Sequence, residues 1–143
     1  LASEGPNPRK KAEQWLEKSD EQEGRAAWTL VGQMAFRDES TPEPWFRDRL
    51  EEIEHRIGQA PNLMREAMLH AVIAIGCRSK PLRTAAIAAA KRIGTIAIDH
   101  GETACKTPPA APYIEKTWAH AKSKGFESPA AQERKRVPPR CRC

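Results

Sequence analysis

Apolar residues recur along this chain at three- and four-residue intervals, and no convincing stretch of strict alternation interrupts them. In "PRKKAEQWLEKS" the apolar side is Ala12, Trp15 and Leu16. Residues 24–36, "GRAAWTLVGQMAF", repeat the pattern with Ala27, Trp28, Val31, Met34 and Ala35. After the turn-forming "RDESTPEP", a third helix carries Trp45, Phe46, Leu50, Ile53 and Ile57, and Gly58 and Pro61 punctuate its end. Asn62 is placed to cap a fourth, whose apolar face is Leu63, Met64, Ala67, Met68, Ala71, Val72 and Ile75. Pro81 suits the first turn of a fifth helix, which runs to Gly94 through Leu82, Ala85, Ala86, Ala89 and Ile93. The sixth, "APYIEKTWAHAKSKG", turns Tyr113, Ile114, Thr117, Trp118 and Ala121 inward. The pattern predicts an all-α protein of six principal helices and no sheet.

Short turns join these helices into three antiparallel hairpins. The second helices of the first two hairpins resemble each other: "RAAWTLVGQMA" begins at Arg25 and "REAMLHAVIAI" at Arg65, 40 residues later. Two helices in a unit of that length is HEAT-type spacing. One such unit cannot bury its own apolar face, so neighbours must stack into a continuous core. The run of alanines from Ala85 to Ala90, broken by Ile87, suits close stacking. The fold class expected is an α-solenoid of HEAT-like helical hairpin repeats. Residues 1–121 are expected to form the repeat domain, as the C-terminal part of a longer solenoid, and residues 122–143 a flexible basic tail.

Charge sharpens that boundary. The chain has 143 residues, 39% hydrophobic and 30% charged, which suits a soluble globular protein and excludes general disorder. Residues 1–121 balance, with 17 Lys and Arg against 17 Asp and Glu. The whole net charge of +5 therefore lies beyond them, in a block that includes Arg134, Lys135 and Arg136. Such a block reads as a solvated arm attracted to phosphate, or as a tail with no dedicated partner. The longest apolar run, "AMLHAVIAIGC", is broken by His70 and too short to span a bilayer, and "LASEGPNPRK" has no apolar signal core. No membrane is expected, and a cytoplasmic setting is. The four cysteines include no CxxC pair, so neither a metal nor another cofactor is called for.

The stretch "AIAAAKRIGTIAIDHGETACKTPPAAPYIEKTWA", residues 86–119, closely resembles the terminal region of one branch of the HEAT-like DNA alkylation repair proteins. The basic, cysteine-ended tail is similar to that branch too. "QWLEKSDEQEGRAA" resembles a repeat of the better-studied branch, in which a helical tryptophan precedes an arginine by ten positions, as Trp15 precedes Arg25. Together the resemblances cover most of residues 12–143. They imply DNA as the partner, its phosphate backbone held on a basic concave face. They also imply excision of cationic alkylated purines by a carboxylate, with aromatic faces attracting the cation. In the Trp15 and Arg25 register the acid-bearing repeat falls before residue 1, so no catalytic residue is identified here. A chain that opens on Leu1, not Met, agrees with that expectation. His70 falls where the register expects a second aromatic wall.

Each candidate carries a plainer alternative. The resemblance makes Arg25 a phosphate ligand at a helix start, where the dipole adds to the attraction. Otherwise it is a surface arginine paired with Glu21 or Glu23. Arg65 is its repeat equivalent, with Glu66 or Asp48 as ordinary partners. His70 is a DNA contact or a buried, hydrogen-bonded core histidine. The four tryptophans fit core stripes.

"IDHGETACKTPPA", residues 98–110, crowds Asp99, His100, Glu102, Cys105 and Lys106 together like an active site. Yet all its candidates are local, and no upstream oxyanion motif accompanies them. Thr95 to Pro112 reads as a long interhelical loop, with Asp99, Thr103 and Thr107 as helix caps. Two functions stand: a DNA-binding solenoid of the alkylation repair type, or a non-enzymatic HEAT scaffold that binds a protein partner.

Overall fold

A computed structural model of the chain describes residues 7–18, 20–102 and 107–136. Its helices are α1 (Pro8–Leu16), α2 (Glu21–Arg37), α3 (Glu43–Arg56), α4 (Asn62–Gly76), α5 (Lys80–Ile93), α6 (Ala110–Ser123) and α7 (Pro129–Lys135). A 3-10 turn, Ile57–Gln59, follows α3, and there is no strand among the described residues. α1, α2, α5 and α7 start where the N-cap side chain satisfies some of their free amides, whereas α3, α4 and α6 start after a proline with no such cap. The Asp20 carboxylate accepts hydrogen bonds from Gln22 and Glu23 N–H at 3.0 Å each. Ser79 and Ser128 cap α5 and α7, each with a proline in the first turn.

Each first helix packs on its own second helix, α1 on α2, α3 on α4 and α5 on α6. The second helices pack in a row, α2 on α4 and α4 on α6, while α3 packs on α5 behind them. The result is two layers of stacked hairpins, as the 40-residue period requires. The core between them includes Trp28, Met34, Phe46, Ile53, Met68, Ile75, Leu82 and Ile114, all fully buried. α4 is the centre of the row, and Ala71 to Cys77 are buried without a break. Gly76 marks a close approach of α4 to α5 and α6. A Cβ there would lie 2.7 Å from Ile114 Cδ1 and 2.9 Å from Ala86 Cβ. Its carbonyl accepts a hydrogen bond from Trp118 Nε1 at 2.7 Å, tying α6 to α4.

Four sequence-based expectations need correction. Asn62 does not cap α4; Pro61 holds that position, and the Asn62 side chain instead grips Asp99. Its Nδ2 donates to Asp99 O and its Oδ1 accepts from Asp99 N, both at 2.7 Å. Asp99 and Thr107 cap no helix either. Asp99 Oδ1 accepts from Gly101 N–H at 2.7 Å, closing its own turn, and Thr107 Oγ1 bonds His100 Nε2 at 2.8 Å. Thr103 and Cys105 lie outside the described residues. Tyr113 does not face inward: Ile114, Trp118 and Ala121 take the buried stripe of α6, leaving Tyr113 44% exposed.

The expected flexible tail is also not what residues 122–136 form. α6 continues to Ser123, and α7 folds back onto α2 and α6. Ser128, Pro129 and Ala130 are buried, and Ala130 N–H donates to Cys77 O at 3.1 Å. A short apolar segment, "SPAA", anchors what the charge count alone would leave in solvent. Residues 137–143, with the last basic positions and Cys141 and Cys143, lie outside the described residues.

Candidate nucleic-acid interface

The second-helix row buries one side against the first layer and leaves the other open. On α2 that open side carries Gln22, Arg25, Thr29, Gln33 and Phe36, spaced by three or four residues and so stacked on one face. On α4 the same spacing lines up Glu66 and His70 and then, buried at the end of the helix, Ile73 and the C-cap Cys77. On α6 it presents Tyr113, Lys116, Thr117 and His120. α7 lies over one end of this face, adding Gln132, Glu133 and Arg136.

Arg25 stands in the second turn of α2, exposed in a shallow groove with Trp15, Gln22, Ala26 and Thr29. Neither acid expected to pair with it does so. Glu21 Oε1 accepts from Leu63 N–H at 2.9 Å, bridging α2 to α4, and no ion pair to Arg25 occurs among the described residues. The guanidinium is presented to solvent. Arg65 differs, because its Nη2 donates to Gly58 O at 3.1 Å and its Nε is buried. Arg65 thus braces the turn after α3, a bond that Arg25 does not have. His70 is exposed on the open side of α4, so the alternative of a buried core histidine does not hold.

The C-terminal basic residues separate in the same way. Arg134 Nη1 donates to Phe36 O at 3.0 Å and its Nε lies 3.4 Å from Glu39, which fixes α7 to the end of α2. Lys135 reaches over the Phe126 ring, 5.8 Å from its centroid. Arg136 is exposed and sits 3.4 Å from Glu133, which also lies 3.8 Å from Arg37.

Sequence reasoning missed Arg78, the residue that organises this end. Its guanidinium donates to Met34 O, Ala35 O and Thr41 O at 3.0–3.1 Å and lies 4.5 Å over the Phe46 ring. Burial pulls its pKa down, while Asp38 opposes the shift. Burial also works against the Asp38 carboxylate. Hydrogen bonds from Ser40 and Thr41, with the Arg78 charge, outweigh it and hold the pKa below its ordinary 3.8. Only an arginine directly after an apolar run, in "GCRSKP", hinted at this brace.

No protein-family model matches the chain, and no curated protein is significantly similar to it. Its fold is similar to that of a solved structure described as "a new family of proteins related to the HEAT-like repeat DNA glycosylases with affinity for branched DNA structures". The TM-score is 0.75 at 22% sequence identity, over 90% of this chain. The fold is a HEAT-like repeat array. This chain spans 55% of the length of that neighbour. No helix among the described residues is long and apolar enough to cross a membrane.

Proposed function

We propose that this HEAT-like chain binds DNA through the open face of its second-helix row, and that branched DNA is its favoured form. The observation that carries the reading is Arg25: exposed, without an ion-pair partner among the described residues, and placed near the start of a helix. A guanidinium there can take a backbone phosphate bidentately, and the helix dipole favours the same anion. Lys116 and Arg136 extend the positive rim across α6 and α7, with His70 between them and Arg25 on α4. The described affinity of the structural neighbour for branched DNA supports the same ligand.

Base excision is not part of this proposal. The carboxylates on the open face are Glu66 and Glu133, and Glu133 sits between Arg37 and Arg136. Such pairing favours a structural role for Glu133 over one poised to stabilise a sugar cation.

Fluorescence anisotropy of the whole chain with a four-way junction and a length-matched duplex, across a salt series, tests the reading. Binding should weaken steeply with salt as phosphate contacts release counterions, and the junction should bind tighter. Incubation with methylated DNA should release no alkylated base. Absent or salt-insensitive DNA binding would transfer the face to a protein partner.

A further inference from the structure

Between α4, α6 and α7 the open face deepens into a cleft of about 440 Å³. Its floor is apolar, made by Phe36, Ile73, Cys77 and Pro129. Burial pushes the Cys77 thiol up to about 12, so the floor stays uncharged across the physiological range. On the α6 wall stands Tyr113, the one large apolar side chain that is exposed among the described residues, at 44%. Lys116 and His120 follow on the same face of α6, and Gln132, Glu133 and Arg136 close the α7 side.

We propose that this cleft holds a single unpaired nucleotide, its base stacked on Tyr113 and its phosphate held by Lys116 and Arg136. Three features select that ligand class. An exposed aromatic ring beside an apolar floor offers a stacking platform that any base can use. Lys116 has no ion-pair partner among the described residues. Arg136 is 72% exposed, so it can leave Glu133 for a phosphate. Glu133 does not turn the cleft acidic, because Arg37 lies on its other side at 3.8 Å. The amide of Gln132 and the hydroxyl of Thr117 supply neutral donors and acceptors for a base edge.

A fully paired duplex keeps its bases stacked and could present only phosphates here. A branch point with unpaired bases, or a single strand, supplies an unpaired base without the cost of extracting one. The cleft therefore deepens the proposed function, on which it rests: it supplies the preference for branched over plain duplex DNA, while Arg25 serves both forms.

The test compares the wild-type chain with Tyr113→Ala, Tyr113→Phe and Lys116→Ala. The probes are a junction with unpaired bases at its centre, a ten-nucleotide single strand, a plain duplex, and a free deoxynucleoside monophosphate. Tyr113→Ala should weaken junction and single-strand binding about tenfold, the size of one lost base–aromatic stack, and leave duplex binding within about twofold. Tyr113→Phe should retain wild-type affinity, since stacking needs the ring and not the hydroxyl. A single strand carrying 5-iodouracil should photocrosslink to Tyr113, read by mass spectrometry. Weak saturation by the free monophosphate, competing with the single strand, is expected of a nucleotide site. Binding of the monophosphate alone, with no effect of Tyr113→Ala on DNA, would assign the cleft to a free nucleotide and overturn the branched-DNA role. Duplex binding that persists while Tyr113→Ala changes nothing would overturn the cleft proposal and leave the proposed function standing. Loss of all DNA binding in the wild type would overturn both.

Discussion

Two ends of one helical face hold similar cations and use them differently. Where α2, α4 and α7 meet, Arg78 and Arg134 are turned toward the protein, their donors engaged by the carbonyls of residues 34, 35, 36 and 41. Toward the start of α2 and along α6, Arg25 and Lys116 face solvent with no ion pair among the described residues. The difference follows from backbone accounting. A helix leaves its last carbonyls without intrahelical partners, and where such an end is covered by another element, a donor must reach it. Arg78 and Arg134 reach the C-terminal end of α2. Arg25 stands near an N-terminal end, whose free N–H groups are met by Asp20, so its guanidinium has no such duty. Positive charge alone thus does not nominate a phosphate site; charge left over after the backbone has been satisfied makes the better candidate.

The comparison breaks most visibly at Arg78. Arg78→Ala should destabilise the fold by about 3 kcal/mol, because it strands the Ala35 and Thr41 carbonyls that a charged donor now satisfies, while Met34 O keeps the Asp38 N–H. Urea unfolding followed by circular dichroism would show the shift, and an unchanged midpoint would mean that water replaces the guanidinium without loss. Gly76→Ala should follow at about 2 kcal/mol, since its methyl would press Ile114 and Ala86 in a packed core. Arg134→Ala should cost about 1 kcal/mol, mostly through the Phe36 carbonyl, because its ion-pair partner Glu39 is 75% exposed and surface pairs contribute little. DNA affinity of the refolded Arg134→Ala chain should stay within about twofold of wild type. A larger loss would place Arg134 with the solvent-facing group.

The fold was largely legible in the sequence because its two layers write themselves as helical periodicity. Ala27, Trp28, Val31, Met34 and Ala35 all proved buried, as did Ala67, Met68, Ala71, Val72 and Ile75. What periodicity could not show is which residue of a stripe lies at its edge. Tyr113 neighbours Ile114 in sequence, yet the 100° step between them carries one to the open face and the other to the core. α7 was missed for a similar reason. Only seven residues long, it has too few turns to display a period, and its anchoring by Ser128, Pro129 and Ala130 arises from tertiary contact. The basic residues of the candidate interface were legible as charges but not as partners. Arg65 and Arg25 look equivalent in sequence, and only the position of Gly58 O separates them. The polar stretch from Asp99 to His100 likewise proved to be hydrogen-bonded loop, its backbone held by Asn62 from 37 residues away.

Acid provides a subtler probe of the braced end. The Asp38 pKa is held below its ordinary 3.8, so ionised Asp38 contributes stability that is fully present above the unfolded value. That contribution should fade as pH falls below about 4 and through the folded value. In Asp38→Asn the urea midpoint should therefore drop less between pH 5 and pH 3 than in the wild type. An identical drop in both chains would assign the acid sensitivity to other carboxylates, and would detach Asp38 from the Arg78 brace.

The smallest expected effect lies at the solvent-facing end and decides whether the comparison has functional meaning. Arg25 makes no side-chain contact that the fold needs, so Arg25→Ala should unfold at the wild-type urea concentration within error. Its cost should appear only in binding. Losing one phosphate contact lowers the slope of log affinity against log salt by about 0.9 on duplex DNA, and the loss should be the same for junction and duplex. That equality separates Arg25 from Tyr113, whose removal should act on unpaired bases alone. A double variant of Arg25 and Tyr113 should then show additive losses on a junction, because the residues stand on α2 and α6 with α4 between them. If Arg25→Ala instead lowers stability and leaves the salt slope unchanged, the guanidinium is another structural cation, and the open face loses its best phosphate site.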